Sequence, residues 1–334
     1  MKTEYLFCPA EFPKPPVSVQ HISLTVDIAE TEVTVYSETS FKAVVPVSEV
    51  KLNAKNLEIK SLTQHGRRVE YTYADDIITL QLNKPLSAGS EFRISAKTVC
   101  HPTDNILEGL YYDITPEGLP RTIISQCQQW GFQRIAPCID DMRAKCTWTT
   151  TIIADSRFSN LISNGNVSRP RTRYDNSRDT ITYQNDEPMP PYLFFLGVGT
   201  WDTFTRDFCY PDGKHVRLEL LTLPGSNEND AGIALDIMAD AILWTHIFTG
   251  PERFEDEEKR LKLYELCTRR FHGEDGLTEE IESLAEGMVC GYQYPYEVYR
   301  EIAMQNSDFG GMENTGNTTI IASRIMPDAE ITDA

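Results

Sequence analysis

The sequence predicts a mainly β fold, in which a large antiparallel β domain at residues 1–204 is followed by an α+β region at residues 205–334. Two observations lead to this class. Up to about residue 204, most segments alternate apolar and polar residues, which is the pattern of strands with one buried face. From about residue 226, the apolar residues recur every three or four positions instead, which is the spacing of helices.

The β domain is predicted from short alternating segments that are rich in Val, Ile, Thr and Phe. Turn signals such as those at residues 64–66 and 85–89 separate these segments. Many short strands at this spacing are typical of an antiparallel sandwich. The clearest segments are HISLTVDIAE (21–30), TEVTVYSETSFKAVV (31–45), VKLNAKNLEIKSL (50–62), DIITLQL (76–82), EFRISAKTV (91–99), KCTWTTTIIAD (145–155) and YLFFLGVGTWD (192–202).

The first helix is predicted to begin near residue 227, because Ser226 or Asn227 can accept hydrogen bonds from the amides of its first turn. Apolar residues follow at helical spacing until a Gly-Pro pair at 250–251 ends the helix. Residues 252–291 then form a charged insertion with two amphipathic helices. Beyond it the chain becomes extended, and residues 298–305 are predicted as a strand.

Composition narrows the classes of function. The 334-residue chain has a formal net charge of −19, which repels phosphate backbones, so no nucleic-acid partner is expected. No run approaches about 18 apolar residues, and we therefore predict no membrane span. The eight cysteines are scattered without a C-x-x-C pair, which is typical of reduced thiols and predicts a cytoplasmic protein.

The histidines do not suggest a metal site. No two of them lie four residues apart, the spacing that places two imidazoles on one helix face. No metal ligand is therefore predicted from the histidines. The six histidines are His21, His65, His101, His215, His246 and His272.

Two short stretches, residues 125–140 and 308–317, carry the side chains of chemical interest. Within the second, residues 310–314 read Gly-Gly-Met-Glu-Asn. A glycine pair lets the backbone approach a ligand or a neighbouring strand closely, and Glu313 then places a carboxylate at that point. Taken by itself, the stretch is more simply interpreted as a bulged edge strand with a surface glutamate.

Six segments of the chain resemble the aminopeptidase N family of zinc metallopeptidases, the gluzincin aminopeptidases that include the leukotriene epoxide hydrolase relatives. The similarity extends from about residue 17 to residue 327. The segments are G-L-Y at 109–111, Q-C-Q at 126–128 with Pro-Cys-x-Asp at 137–140, L-x-S-N-G-N at 161–166, P-M-x-x-Y-L at 188–193, Y-P-Y at 294–296 and the G-x-M-E-N exopeptidase motif at 310–314.

The resemblance implies a saddle-like β-sandwich domain, followed by a truncated α+β catalytic domain of the thermolysin type. It implies that Glu313 binds the free α-amino group of a peptide and that Gln128 is the second anchor. The alternative for Gln128 is a polar residue satisfied within its strand. The further substrate-binding residues that it implies are Gly310, Gly311, Met312 and Asn314, together with Gln126 and Phe309, for which simple packing is an equally good interpretation.

In this family an H-E-x-x-H motif follows G-x-M-E-N and supplies two zinc ligands and the general base. No H-E pair occurs in this chain, so the resemblance implies neither a metal ligand nor a catalytic residue in it. We therefore expect zinc in the full-length enzyme and none bound by this chain, which we predict to be inactive alone. Two kinds of partner are expected. One is a peptide substrate with a free N-terminus, and the other is the C-terminal catalytic segment that this chain lacks. The alternatives are a non-catalytic peptide-binding or scaffolding protein and one half of a split enzyme.

The charged insertion at about 252–291 departs from the family, which passes quickly from its first helix to Y-P-Y. Insertions in loops cost little free energy, because closure entropy grows slowly with loop length. A lid, a partner site and a surface elaboration are the three alternatives, and a surface elaboration is the simplest.

Overall fold

The computed structural model describes residues 14–326. Cys8, the start of the first predicted domain and the end of the second therefore lie outside the described residues. The predicted mainly β fold is confirmed. The strands are β1 Val17–Ile28, β2 Val33–Ala43, β3 Val47–Asn53, β4 Glu58–Gln64, β5 Arg67–Arg68, β6 Glu70–Ala74, β7 Ile77–Leu86, β8 Glu91–Cys100, β9 Gly109–Tyr112, β10 Ile123–Gln126, β11 Cys146–Asp155, β12 Asn160–Ser163, β13 Asn166–Arg173, β14 Arg178–Met189, β15 Leu196–Gly199, β16 Asp202–Cys209, β17 His215–Thr222, β18 Val298–Met304, β19 Gly311–Met312 and β20 Asn317–Ile321. The helices are α1 Glu228–Phe248, α2 Glu257–Phe271, α3 Thr278–Ala285 and α4 Ala322–Ile325.

The largest sheet has eight strands in the order β13-β14-β11-β1-β2-β8-β4-β5. Its neighbouring strands are antiparallel, except that β1 and β11 run parallel with Ser23 opposite Thr149. Within the described residues, this pair is the one parallel pairing in the sheet, whose other pairings are antiparallel as the sequence predicts. Alternation could not reveal it, because side chains alternate between the two faces in parallel and antiparallel strands alike.

Two smaller sheets complete the β domain, a three-stranded sheet β3-β7-β6 and a four-stranded sheet β12-β15-β10-β9. Buried apolar side chains from β1, β2, β8, β10, β11 and β15 join them into one core. Within it, the rings of Phe132, Trp148 and Phe194 have centroids 5.1–5.4 Å apart. This core holds β10, whose end leads into the first of the two chemically interesting stretches.

The second unit is built on a mixed five-stranded sheet in the order β16-β17-β18-β20-β19. β18 is parallel to both of its neighbours, whereas the outer pairs are antiparallel. The predicted boundary at residue 204 falls within β16, which already belongs to this sheet. At the opposite edge lies the very short β19, which contains part of the second chemically interesting stretch.

Helix α1 packs against this sheet and begins where the sequence predicts. Asn227 is the N-cap, and its side chain accepts a hydrogen bond from the amide of Asn229 at 2.8 Å. By length and composition alone, α1 is long and apolar enough to cross a membrane, a run that the sequence analysis did not recognise. Its buried face, which includes Leu235 and Met238, packs with residues of β17 in the core of the second unit.

The charged insertion contributes to the same core. Leu263 of α2 and Ile281 of α3 are completely buried there. Between them and α1 lies Arg260, which is 1% exposed. Its guanidinium donates to the main-chain carbonyls of Ile247 (2.7 Å), Glu255 (2.9 Å), Val289 (2.9 Å) and Glu252 (3.1 Å). The interpretation as a surface elaboration therefore fits only the outer faces of the insertion.

The seven cysteines within residues 14–326 are free, and five of them are buried. Burial raises the pKa of the Cys127 and Cys138 thiols well above the ordinary value. These two thiols are therefore protonated at neutral pH and serve as packing groups.

Candidate functional site

The G-x-M-E-N stretch forms an edge of the five-stranded sheet. Gly311 and Met312 make up β19, which pairs with β20 on one side, and within the described residues no strand pairs with the other side. Met312 is buried, whereas Gly311 and Glu313 are exposed. An edge of this kind leaves main-chain groups open to an added strand. The Glu313 carboxylate lies next to that open edge.

Gly310 precedes this edge strand and is crowded on its side-chain face. A Cβ atom placed there would lie 2.1 Å from an Nη atom of Arg324, so any side chain would displace that guanidinium. The carbonyl of Gly310 accepts a hydrogen bond from the amide of Ile321 at 3.1 Å. The main-chain carbonyl of Gly310, a predicted substrate-binding residue, is therefore already used within the sheet.

Asn314 has a different role from its neighbour Glu313. It is 2% exposed, and its Nδ2 donates to the carbonyl of Asn317 at 3.3 Å and to the hydroxyl of Thr319 at 3.4 Å. Its Oδ1 is buried without a hydrogen-bond partner among the described residues. The side chain closes the turn that follows β19, and it is too enclosed to contact a ligand directly.

The first stretch places Gln126 and Gln128 at the end of β10. Gln126 is 5% exposed, and its Oε1 accepts a hydrogen bond from the amide of Gln128 at 3.4 Å. Gln128 is partly exposed, and its peptide bond to Gln129 is cis. Gly131 packs so closely on the carbonyl of Gln126 that a Cβ there would lie 2.3 Å from it. Gln126 therefore supports the loop, and Gln128 is the side chain of the two that reaches solvent.

Strand register brings the two stretches to the same end of one sheet. We call the four-stranded sheet β12-β15-β10-β9 the junction sheet. Ile124 of β10 lies opposite Gly197, and Ser163 of β12 lies opposite Leu196, so β10 and β12 end at the same end of the sheet, on either side of β15. Asn164, directly after β12, donates through Nδ2 to the carbonyl of Thr315 at 2.7 Å. Thr315, two residues after Glu313, therefore contacts the end of the sheet at which β10 leads into Gln128.

Residues 305–315, which we call the bracketed segment, are attached to the junction sheet at both ends. At the first end, the Asp113 carboxylate accepts hydrogen bonds from the amides of Gln305 (2.9 Å) and Asn306 (2.7 Å). The hydroxyl of Tyr111 donates to the carbonyl of Asn306 at 3.0 Å. At the second end, the amide of Thr315 donates to the carbonyl of Leu193 at 3.3 Å. The segment between carries Phe309, Glu313 and β19.

Apolar packing supports these attachments. Ile124, Phe195 and Trp201 of the β domain form one buried cluster with Ile302 and Met304 of β18. The β domain and the five-stranded sheet are therefore joined by a continuous apolar contact as well as by hydrogen bonds. Sequence analysis noted the segments that contain Asn164 and Tyr111 only as family landmarks, and it missed Asp113. The one available signal was the position of each residue directly after or within a strand.

Burial changes the acidity of two carboxyl groups near these stretches. It raises the pKa of Asp113, although hydrogen bonds from the amides of Gln305, Ile114 and Asn306 act in the opposite direction. It raises the pKa of Asp140 to about 7. Asp140 accepts a hydrogen bond from the amide of Gln133 at 3.1 Å and so supports the turn that follows Gln128.

Zinc, which the family resemblance implies, does not fit the described residues. Within residues 14–326, no group of three or more His, Cys, Asp or Glu side chains is arranged to hold a metal ion. No chemical step that needs a metal is therefore assigned to these residues.

Comparison with known proteins agrees with this architecture. The Peptidase M1 N-terminal domain matches residues 17–193, and the chain therefore belongs to the M1 peptidase family. It is 24% identical over 320 residues to aminopeptidase N of Caulobacter vibrioides, which covers 94% of this chain and 31% of that protein. It is 28% identical over 231 residues to aminopeptidase N of Haemophilus influenzae, which covers 65% of this chain and 26% of that protein. The chain spans less than a third of the length of these curated relatives.

Solved structures show the same fold. Aminopeptidase A of Legionella pneumophila, in complex with aspartic acid, superimposes with a TM-score of 0.76 at 17% identity, covering 97% of this chain and 33% of that one. A variant of the M1 zinc metallopeptidase of Deinococcus radiodurans superimposes with a TM-score of 0.65 at 16% identity, covering 92% of this chain and 61% of that one. The expected family resemblance is confirmed, whereas the roles of the individual site residues stay predictions.

Proposed function

We propose that this chain is the N-terminal portion of a zinc-dependent aminopeptidase and that it binds the free α-amino group of a peptide substrate. The observation that carries the proposal is the position of Glu313. Its exposed carboxylate follows an open edge strand and lies two residues before Thr315, which contacts Asn164 at the end of the junction sheet where β10 leads into Gln128. The bracketed segment thus presents to solvent an anionic group next to main-chain groups that an extended peptide can pair with.

The chemistry of an α-ammonium group matches this pair of side chains. The ammonium has three N–H donors, and a carboxylate with an amide oxygen accepts two of them in defined directions. A substrate held by its first amino group has its first peptide bond at a fixed distance from the anchor. Positioning alone then restricts cleavage to the N-terminal residue.

The other predicted site residues divide into two groups. Gly311 and Met312 provide the edge for the peptide backbone, and Phe309, which is 42% exposed, borders the place of the first side chain. Gln126, Gly310 and Asn314 support this arrangement through contacts within the protein. Two expectations remain proposals, a cytoplasmic location and peptides with a free N-terminus as partners.

The amine anchor is tested with a fluorescently labelled peptide that is prepared with a free N-terminus and with an acetylated one. We expect the free peptide to bind at least about tenfold more tightly, a difference of about 1.4 kcal/mol. Glu313→Gln should abolish the difference between the peptides. Glu279→Gln on α3 is the matched control, because it also removes an exposed carboxylate. Equal affinity of the wild type for both peptides would refute the anchor.

The predicted inactivity is tested separately. The chain should release no 4-nitroaniline from aminoacyl 4-nitroanilides, with or without added zinc, because the described residues offer no metal site. Turnover that depends on zinc and disappears with a chelator would contradict this part of the proposal. It would not affect the binding result, because binding is measured without catalysis.

A further inference from the structure

The Asn164 carboxamide forms hydrogen bonds with residues 193 and 195 of the β domain and with residue 315 of the bracketed segment. Its Oδ1 accepts a hydrogen bond from the amide of Phe195 at 2.7 Å. Its Nδ2 donates to the carbonyl of Leu193 at 3.1 Å and to the carbonyl of Thr315 at 2.7 Å. The side chain is 2% exposed. An amide has two N–H donors and an oxygen with two lone pairs, so these bonds use both donors and one of the two acceptor directions.

The third of these bonds differs from the other two. The partners Leu193 and Phe195 belong to the β domain itself, whereas Thr315 lies two residues after Glu313 in the bracketed segment. A neutral carboxamide is required here, because a carboxylate would direct an oxygen at two carbonyl oxygens. Asn317 reinforces the contact by donating to the carbonyl of Ser163 at 3.0 Å.

Asp113 holds the other end of the bracketed segment. The eight residues between Asn306 and Thr315 are therefore held at both ends by the β domain, in addition to the pairing of β19 with β20. A segment fixed at both ends loses less conformational entropy when it binds a ligand than one that is free to move. The position of Glu313 is thus set by the β domain as well as by the sheet to which β19 belongs.

We propose that Asn164 is a positioning residue, which orients the Glu313 carboxylate for recognition of the substrate amine, and that Asp113 shares this role at the opposite end. The inference rests on the proposed function of Glu313. It goes further in assigning part of the substrate specificity to the β domain, through a residue that does not touch the substrate.

The test is hydrogen exchange of residues 307–314, read by mass spectrometry on the whole chain without peptide. Asn164→Asp keeps the acceptor for Phe195 and replaces the donor to Leu193 and Thr315 with an oxygen. We expect exchange in this segment to become about fivefold to tenfold faster, because one of the two lost hydrogen bonds, the one to Thr315, holds the segment. Asp113→Asn should accelerate exchange in the same segment from its other end, and it provides a second variant should the buried carboxylate of Asn164→Asp impair folding.

Ser163→Ala is the matched control. The Ser163 hydroxyl is buried next to Asn164 and donates to the carbonyl of Phe195 at 2.7 Å, entirely within the β domain. Its loss should lower the stability of the β domain and leave exchange in residues 307–314 unchanged. Equal acceleration in Ser163→Ala, or no acceleration in Asn164→Asp and Asp113→Asn, would overturn the inference.

A second readout connects the attachment to amine recognition. Asn164→Asp should weaken binding of the free labelled peptide about fivefold and leave the acetylated peptide unaffected, since only the former uses Glu313. Undiminished binding of the free peptide would overturn the positioning role. Failure of the wild type to distinguish the two peptides would instead count against the proposed function, while the exchange result would still report on the attachment itself.

Discussion

Replacing Arg260 with methionine removes a buried positive charge that holds the charged insertion against α1. Its guanidinium donates four hydrogen bonds to main-chain carbonyls at 2.7–3.1 Å. None of the ion pairs in residues 14–326 involves Arg260, so these carbonyls are its principal partners. Ile247 supplies one of them at the C-terminal end of α1, where carbonyls lack helical donors and the helix dipole favours a cation.

The size of the effect follows from these bonds and from the cost of burial. Hydrogen bonds from charged donors contribute about 1.5–3 kcal/mol each, or about 6–12 kcal/mol for four if none were replaced. Burial of an ion costs several kcal/mol, which methionine avoids. The carbonyls of Glu252, Glu255 and Val289 belong to exposed residues and can bind water, whereas Ile247 is fully buried. We therefore expect Arg260→Met to lower the free energy of unfolding by about 3 kcal/mol.

Urea denaturation followed by tryptophan fluorescence measures this loss, and hydrogen exchange near residues 247–255 shows whether it is local. Arg269→Met is the control on the same helix, because Arg269 makes exposed ion pairs with Glu265 and Glu274. It should cost no more than about 1 kcal/mol. If Arg260→Met were as stable as Arg269→Met, the carbonyl network would not stabilise the insertion and our reasoning about its role would be wrong.

Two further predictions address the pH dependence and the packing of the fold. Burial raises the pKa of Asp140 to about 7, so its contribution to stability is complete below about pH 4 and is lost as the pH rises to about 7. The side chain of the Asp140→Asn variant cannot ionise. In urea denaturation, the stability of this variant relative to the wild type should increase by roughly 2–3 kcal/mol between pH 5 and pH 8. A constant difference would mean that Asp140 is already ionised at pH 5. Ile281 of α3 is completely buried, and Ile281→Ala should cost about 2–5 kcal/mol. A loss below about 0.5 kcal/mol, the usual limit for surface substitutions, would show that α3 packs only superficially.

Local patterns predicted most of the secondary structure because strands and helices bury one face at a fixed period. The alternating residues of β1 and β2 and the helical spacing of α1 follow directly from that requirement. The cap at Asn227 was predictable for the same reason, since the first amides of a helix need an acceptor nearby. The motif at 310–314 was recognised through its resemblance to the exopeptidase motif of the family, and the structure places it at a sheet edge.

The arrangement of these elements depended on contacts between residues far apart in the sequence. The parallel pairing of β1 with β11 leaves no local trace, because a strand has the same periodicity whichever neighbour it pairs with. In the sequence, Arg260 is one more charged residue of an amphipathic helix. In the structure, it donates hydrogen bonds to the carbonyls of Ile247 and Val289. Composition could not distinguish that buried cation from the exposed Arg269, because burial is decided by the packing of other elements.

By itself, the sequence determined the mainly β class, the change to helices after about residue 226, the M1 family and the identity of the amine-binding candidates Glu313 and Gln128. Only the tertiary structure showed that Asp113 and Asn164 hold the bracketed segment at both ends. The physical reason is that one hydrogen bond between distant residues imposes no periodicity on the chain. Its partners meet only after the junction sheet and the five-stranded sheet have packed together.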